Sequence, residues 1–188
     1  MNFYDLMMSP LEKNGLGAKR TWLMRHVQGN VLEIGFGTGA NMPFVHWENV
    51  QQYTALDLEA NQYAKQYEAI NFVEGNAARL PFPDQTFDTV LETLVLCSVE
   101  DLSEVLTEVS RVLKVGGHFV FMDHVLPTQP PLASVFKVIN PLWSTLAHGC
   151  QLTRHPSEHF ENYGLKCLDT SRILGNIFEF GIAVKTTT

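Results

Sequence analysis

Gly35, Gly37 and Gly39 alternate with Phe36 and Thr38 directly after the apolar run Val31, Leu32, Glu33, Ile34. A glycine-rich turn after a strand permits positive φ and lets a ligand lie against bare backbone. Asp57 stands about 20 residues further on, at the end of the next apolar run, where a carboxylate can accept hydrogen bonds from ribose hydroxyls. Asn76 and Ala77, after a third run, are placed to meet an adenine ring. The chemistry implied is capture of an adenosine-bearing ligand.

Two such ligands compete. Gly35, Gly37 and Ala40 satisfy the looser Gly-x-Gly-x-x-Gly/Ala dinucleotide fingerprint. Glu33, two residues ahead of the first glycine, the added Gly39 and the segment after the fourth strand favour S-adenosylmethionine (SAM) instead. On that reading Glu33, Gly35, Phe36, Gly37, Thr38, Gly39 and Asn41 form one wall of the cofactor site. Asp57 with Leu58 forms a second, and Asn76 with Ala77 a third.

Positioning these residues takes a sheet with its loops gathered at one edge. The opening stretch to about Asn30 reads as a helical lid, with Leu16, Leu23 and Val27 at helical spacings and Trp22 beside them. Strands are expected at Val31 to Ile34, Tyr53 to Asp57, Asn71 to Glu74, Phe87 to Leu91 and, behind a Gly116-Gly117 turn, His118 to Met122. Helices are expected after Gly39, over Leu58 to Ala69 and over Asp101 to Leu113. This alternation is the mark of an α/β fold with a doubly wound, mostly parallel sheet, here of seven strands with helices on both faces. Residues 126–163 loosen into a proline-bearing insertion (Pro127, Pro130, Pro131, Pro141), with an apolar segment at Val135 to Ile139 and a helix at Pro156 to Tyr163. Such an insertion can build a substrate pocket. Lys166 to Ile173 and Ile177 to Val184 close the chain as an antiparallel pair.

Length and composition fit one domain over residues 1–188. The formal net charge of -7 and the absence of a basic stripe argue against a nucleic-acid partner. No apolar run approaches the roughly 18 to 20 residues that span a bilayer, and the N-terminus lacks the basic region of a signal peptide, so stable membrane insertion is not expected and a cytoplasmic location is. Cys97, Cys150 and Cys167 have no Cys-x-x-Cys spacing, and Cys97 reads as a buried structural thiol. His155 and His159 are four apart with Cys150 nearby, an incomplete ligand set, so no metal is expected.

Glu33 to Gly39, Asp57, Leu80-Pro81-Phe82 and Phe87-Asp88, in this order, resemble the class I SAM-dependent methyltransferases, with a Rossmann-like fold over nearly the whole chain. More narrowly, Thr93 to Val99, Asp123-His124-Val125, Gly149 to Arg154 and Gly181 to Lys185 resemble the methyltransferase-like seven branch, which includes alkyl thiol S-methyltransferases. The chain departs from that pattern at Asn76, where an acid is common, and at Val115, where proline is usual. It also has no counterpart of the N-terminal hydrophobic segment of the animal members.

The resemblance implies that Thr93 and Leu94 line the methionine end of SAM, with the Gly35 backbone near its amino group. It implies methyl transfer to a small-molecule acceptor, a thiol first, with a quinone, a phospholipid or SAM binding without catalysis as alternatives. Asp123 and His124, at the end of the fifth strand, are the candidates for assisting deprotonation of the acceptor. Val135, Phe136, Ile139, Leu142 and Trp143 could make its pocket apolar. Arg154 could pair with Glu158 or with an anionic acceptor.

Overall fold

A computed structural model describes residues 15–59, 62–147 and 149–186. The first half of the expected lid, residues 1–14, lies outside them. The chain runs α1 (Gly17–Met24), β1 (Gly29–Ile34), β2 (Val50–Asp57), β3 (Ile70–Glu74), β4 (Phe87–Glu92), α2 (Leu102–Val112), β5 (Leu113–His124), α3 (Pro130–Leu146), β6 (Leu165–Ile173) and β7 (Phe178–Lys185). The strands form one sheet of order β3-β2-β1-β4-β5-β7-β6. Strands β1 to β5 are mutually parallel, and β7 runs antiparallel to both β5 and β6.

Side chains alternate between the faces of a strand, and here the alternation builds two cores. Leu32, Ile34, Val90, Phe119 and Phe121 turn to one face, where Val105, Leu106, Val109 and Val112 of α2 cover them together with Phe160. Val31, Leu91, Val120 and Met122 turn to the other, under Leu23, Met24 and Val27 of the N-terminal segment. Helix α2 starts where it does because the Asp101 carboxylate accepts from the N–H groups of Ser103 and Glu104, at 2.8 and 3.2 Å. Such a cap contributes about 1 kcal/mol. Strand order reverses between β1 and β4, and the carboxyl ends of those two strands frame the crevice in which a doubly wound sheet binds its ligand.

Several local expectations need correction. The helix expected after Gly39 is a run of turns with a 3-10 helix at Met42–Phe44. The side chain of Asn41 is drawn inward there, and few residues separate it from β2. The helix expected over Leu58 to Ala69 is, in its described residues, turns and a 3-10 helix at Ala64–Gln66. Ala64 is buried and Tyr67 packs edge-on against Phe36 at 6.2 Å, so contact with the glycine loop outweighs helix propensity. The Gly116-Gly117 turn is a bend inside a longer β5, and Pro156–Tyr163 is helical but of the 3-10 type.

The proline-bearing insertion holds the 17-residue α3. Pro130 and Pro131 stand in its first turn, where a missing N–H costs nothing, so they begin the helix rather than prevent it. None of its residues is fully buried. Among the described residues no helix is long and apolar enough to cross a membrane.

Candidate active site

The loop after β1 and the turn after β4 interlock. Gly35, at φ +69°, lies so close to Val95 that an added Cβ would stand 2.3 Å from its Cγ2, so only glycine fits. Gly37, at φ +55°, has open space where a side chain would be, with the nearest atom 4.0 Å away. One glycine closes the loop onto the protein, and at the other no described residue fills the side-chain position.

Asp57 joins this loop directly. Its Oδ2 accepts from the Gly37 N–H at 2.7 Å and its Oδ1 from the Leu58 N–H at 2.8 Å. The expected ribose-binding carboxylate therefore stands at the mouth of the glycine loop, half-buried, with Leu58 exposed beside it. Asn76 is exposed and its Oδ1 accepts from the Ala78 N–H at 2.8 Å, which turns the chain sharply after β3 and buries Ala77.

Glu33 lies beneath the loop, almost wholly buried. Its Oε1 accepts from Asn41 Nδ2 at 2.6 Å and its Oε2 from the Tyr53 hydroxyl at 2.8 Å. Thr93 Oγ1 accepts from Asn41 Nδ2 at 3.0 Å and from Arg20 Nη1 at 2.9 Å, and Arg20 also donates to Asn41 Oδ1 at 2.6 Å. Burial raises the Glu33 carboxyl to about 7, although the Asn41 and Tyr53 hydrogen bonds and the Arg20 charge oppose the rise. Glu33, Asn41 and Thr93 thus share one polar network across β1 and β4. Two members, Arg20 and Tyr53, escaped the sequence reading, since nothing in a helix arginine or a strand tyrosine marks a partner so distant in sequence.

The turn after β4 is strained. Leu94 has φ +65°, which costs a residue with a side chain of order 1 kcal/mol or more. Its N–H donates to the Met122 carbonyl at 2.6 Å, and the Val95 N–H donates to Glu92 Oε2 at 3.1 Å. Glu92, which the sequence reading missed, is fully buried and faces Asp123. Burial raises both carboxyls, Asp123 to about 6 and Glu92 well above the usual glutamate range, where the Asp123 charge adds to the rise. Asp123 Oδ1 accepts from the Cys97 N–H at 2.9 Å.

His124 points to Cys150, whose Sγ is 3.4 Å from its Nδ1 and 3.5 Å from Cys97 Sγ. Cys97 is buried as expected. Its thiol is pushed up, first by its hydrogen bond with Cys150 and then by burial, and Cys150 is pulled down by the same contact. The sequence grouped Cys150 with His155 and His159, whereas the fold pairs it with residues from β5 and the β4 turn. His155 precedes the 3-10 helix without capping it through its side chain, and His159 is exposed.

The apolar pocket needs similar revision. Phe136 and Trp143 pack against Cys97, Ala147, Cys150 and Leu152. Val135, Ile139 and Leu142 are exposed. Arg154 is not held by Glu158. Its guanidinium donates to the carbonyls of Leu96, Val99 and Glu100, at 3.1, 2.5 and 3.4 Å, while the Glu158 carboxylate lies 4.0 Å from His155.

The model of a methyltransferase domain matches residues 32–121, from β1 to the middle of β5. The human thiol S-methyltransferase TMT1B is 30% identical over 178 residues, 83% of this chain and 71% of the relative. The chain belongs to the class I SAM-dependent methyltransferases. The rat TMT1B is 34% identical over 142 residues, 70% of this methyltransferase, which spans 57% of that relative's length. Methyltransferases named for other acceptors match as well. A geranyl diphosphate methyltransferase solved in complex with SAM shares the fold, with a TM-score of 0.72 and 18% identity, over 90% of this chain and 85% of that one.

SAM is the cofactor of this family, and the site fits it. The Gly37 backbone, the Asp57 carboxylate that accepts from it and the Thr93-Leu94 turn stand at the carboxyl ends of β1, β2 and β4.

Proposed function

We propose that this methyltransferase transfers a methyl group to the sulfur of a small apolar thiol. One observation carries the reading. The two segments that most resemble thiol methyltransferases, Thr93 to Val99 and Gly149 to Arg154, lie about 55 residues apart in sequence and meet in the fold. The Gln151 N–H donates to the Cys97 carbonyl at 2.7 Å, and Arg154 clasps the carbonyls of the first segment from the second. Relatives named as thiol S-methyltransferases align with most of the chain, in support of the same acceptor.

SAM, when bound, supplies an electrophilic methyl group on a sulfonium. The protein's part is to hold, orient and exclude water. Glu33, Gly35, Phe36, Gly37, Thr38, Gly39 and Asn41, with Asp57, Leu58, Asn76, Ala77, Thr93 and Leu94, are the residues assigned to cofactor binding. Positioning of the acceptor in line with the methyl group can supply about 7 to 11 kcal/mol of barrier lowering. Asp123 and His124 border the acceptor side. Phe136 and Trp143 form an apolar wall there, which suits an alkyl thiol and disfavours a charged ammonium, whose unpaired burial is costly.

A competition assay with labelled SAM tests this. A short alkyl thiol should be methylated faster than an amine, a catechol, a phospholipid or a quinone. Preference for a lipid or quinone would replace the acceptor, and tight SAM binding without turnover on any of them would make the protein a SAM-binding one.

A further inference from the structure

Three soft donors converge beside the acceptor wall from distant parts of the chain. Cys97 comes from the turn after β4, His124 from the last position of β5, and Cys150 from the turn that follows α3. All three residues are buried, and their donor atoms lie within 4.8 Å of one another. A tetrahedral zinc ion has Zn–S distances of about 2.3 Å and Zn–N of about 2.0 to 2.1 Å. Its sulfur ligands therefore stand about 3.8 Å apart, and sulfur and nitrogen about 3.5 Å. The observed separations are 3.5 Å between the sulfurs and 3.4 Å from Cys150 Sγ to His124 Nδ1. These two sides need only slight expansion to accept the ion, and the third, between Cys97 and His124, spans no more than 4.8 Å.

The surroundings hold the donors in place. The His124 ring lies 4.3 Å from Phe178 and meets Trp143 edge-on at 6.1 Å, which fixes the direction of Nδ1. The Ser98 hydroxyl is 3.6 Å from Cys97 Sγ. The indole N–H of Trp143 is buried with no acceptor among the described residues. Two thiolates and a neutral imidazole cancel the charge of a dication, so the loaded site is neutral and tolerates burial. Thiolate and imidazole donors select zinc over magnesium or calcium.

We propose that Cys97, His124 and Cys150 form a three-ligand zinc site whose fourth position receives the sulfur of the acceptor. Three protein ligands with one open position is the arrangement of a catalytic rather than a structural zinc. On binding, the acceptor's S–H proton passes to solvent and a sulfur lone pair goes to zinc, with no change of oxidation state. The acceptor is thereby held as a thiolate at neutral pH, where a free thiol near pKa 8.5 is only a few per cent ionised. The occupant of the fourth position rests on the thiol reading, whereas the zinc site does not.

The test is elemental analysis of reduced full-length protein made in zinc-supplemented medium, followed by exchange of the zinc for cobalt(II). We expect one zinc per chain, its loss in Cys97→Ser, Cys150→Ser and His124→Asn, and its retention in Cys167→Ser. SAM-dependent thermal stabilisation reports whether each variant is folded. Should the ligand variants fail to fold, the cobalt-substituted wild type decides alone. A thiolate-to-cobalt charge-transfer band that moves on addition of ethanethiol supports the proposal. Reduced protein without zinc, or zinc retained in the folded ligand variants, overturns the site, and a band unmoved by the thiol overturns its occupant. Methylation of thiols at full rate by metal-free protein would overturn zinc as the holder of the acceptor and leave the proposed acceptor standing. Zinc-loaded protein that methylates only a lipid or quinone would do the reverse.

Discussion

The Tyr53 hydroxyl donates to the buried Glu33 carboxylate at 2.8 Å, joining β2 to β1 beneath the glycine loop. Burial holds that carboxyl at about 7, above the 4.5 of a free glutamate. The folded state therefore binds the proton more tightly than the unfolded chain does. The stability this contributes is fully present below about 4.5 and is lost as pH rises through about 7, with a slope of at most about 1.4 kcal/mol per pH unit. In Glu33→Gln this slope should disappear from thermal melts across that window. The amide can accept from only one of Tyr53 and Asn41 through its oxygen, so its baseline stability should also fall by about 1 to 3 kcal/mol.

Asp57 holds the Gly37 N–H, and the proposed cofactor site gives it a second task at the ribose. Asp57→Ala should weaken SAM binding by about 1.5 to 3 kcal/mol in calorimetry, the magnitude of a hydrogen bond to a charged group. SAM and its demethylated product should raise the melting temperature of the wild type, and NAD should not. Stabilisation by NAD alone would reverse the choice of cofactor.

The two loop glycines should fail differently. Gly35→Ala drives a methyl group into Val95 and should lower the melting temperature markedly. At Gly37→Val the added Cβ meets no described residue closer than the Gly35 carbonyl at 4.0 Å, so the variant should fold with a moderate loss from its positive φ while losing SAM binding. If Gly37→Val binds SAM normally, the outer face of the loop is not the cofactor surface.

Arg154 ties the acceptor side to the turn after β4 through three carbonyls. Arg154→Ala should raise the KM for the acceptor more than the Kd for SAM and cost about 1 kcal/mol in stability, because two partly buried carbonyls lose their donor. Arg154→Lys should restore little, since a compact ammonium cannot span three acceptors as a guanidinium does. Equal effects on both ligands would count against a role confined to the acceptor side.

The sheet was legible because buried parallel strands leave short apolar runs and the glycine loop has few alternative uses. Asp57 and the glycines came from one-dimensional spacing and Thr93 from the family resemblance, and the fold brings them to one edge. The connections were less legible. Leu58 to Ala69 has helical composition, yet the packing of Ala64 and Tyr67 decides its shape, and packing is not written in local sequence. Helix α3 was hidden by prolines that mark its start. The Cys97, His124 and Cys150 cluster could not be read from spacing, because its members are separated by whole strands and helices. Their only sequence signal was position, His124 at the last place of β5 and the two cysteines a few residues past the ends of β4 and α3.

The antiparallel strand β7 lies inside the sheet, hydrogen-bonded to β5 on one side and β6 on the other, although it is the later of the two in sequence. During synthesis, β6 emerges from the ribosome with no neighbour to join, and β5 keeps a bare edge until Phe178 to Lys185 has followed. Bare edges are where nascent chains pair wrongly with one another. Asp123 and His124 lie on that edge, opposite Glu179 and Phe178. The edge of β5 that carries Asp123 and His124 is thus sealed only by the last strand to be made. A translating chain halted before Phe178 carries the glycine loop and its partners on β1, β2 and β4 but not a sealed β5.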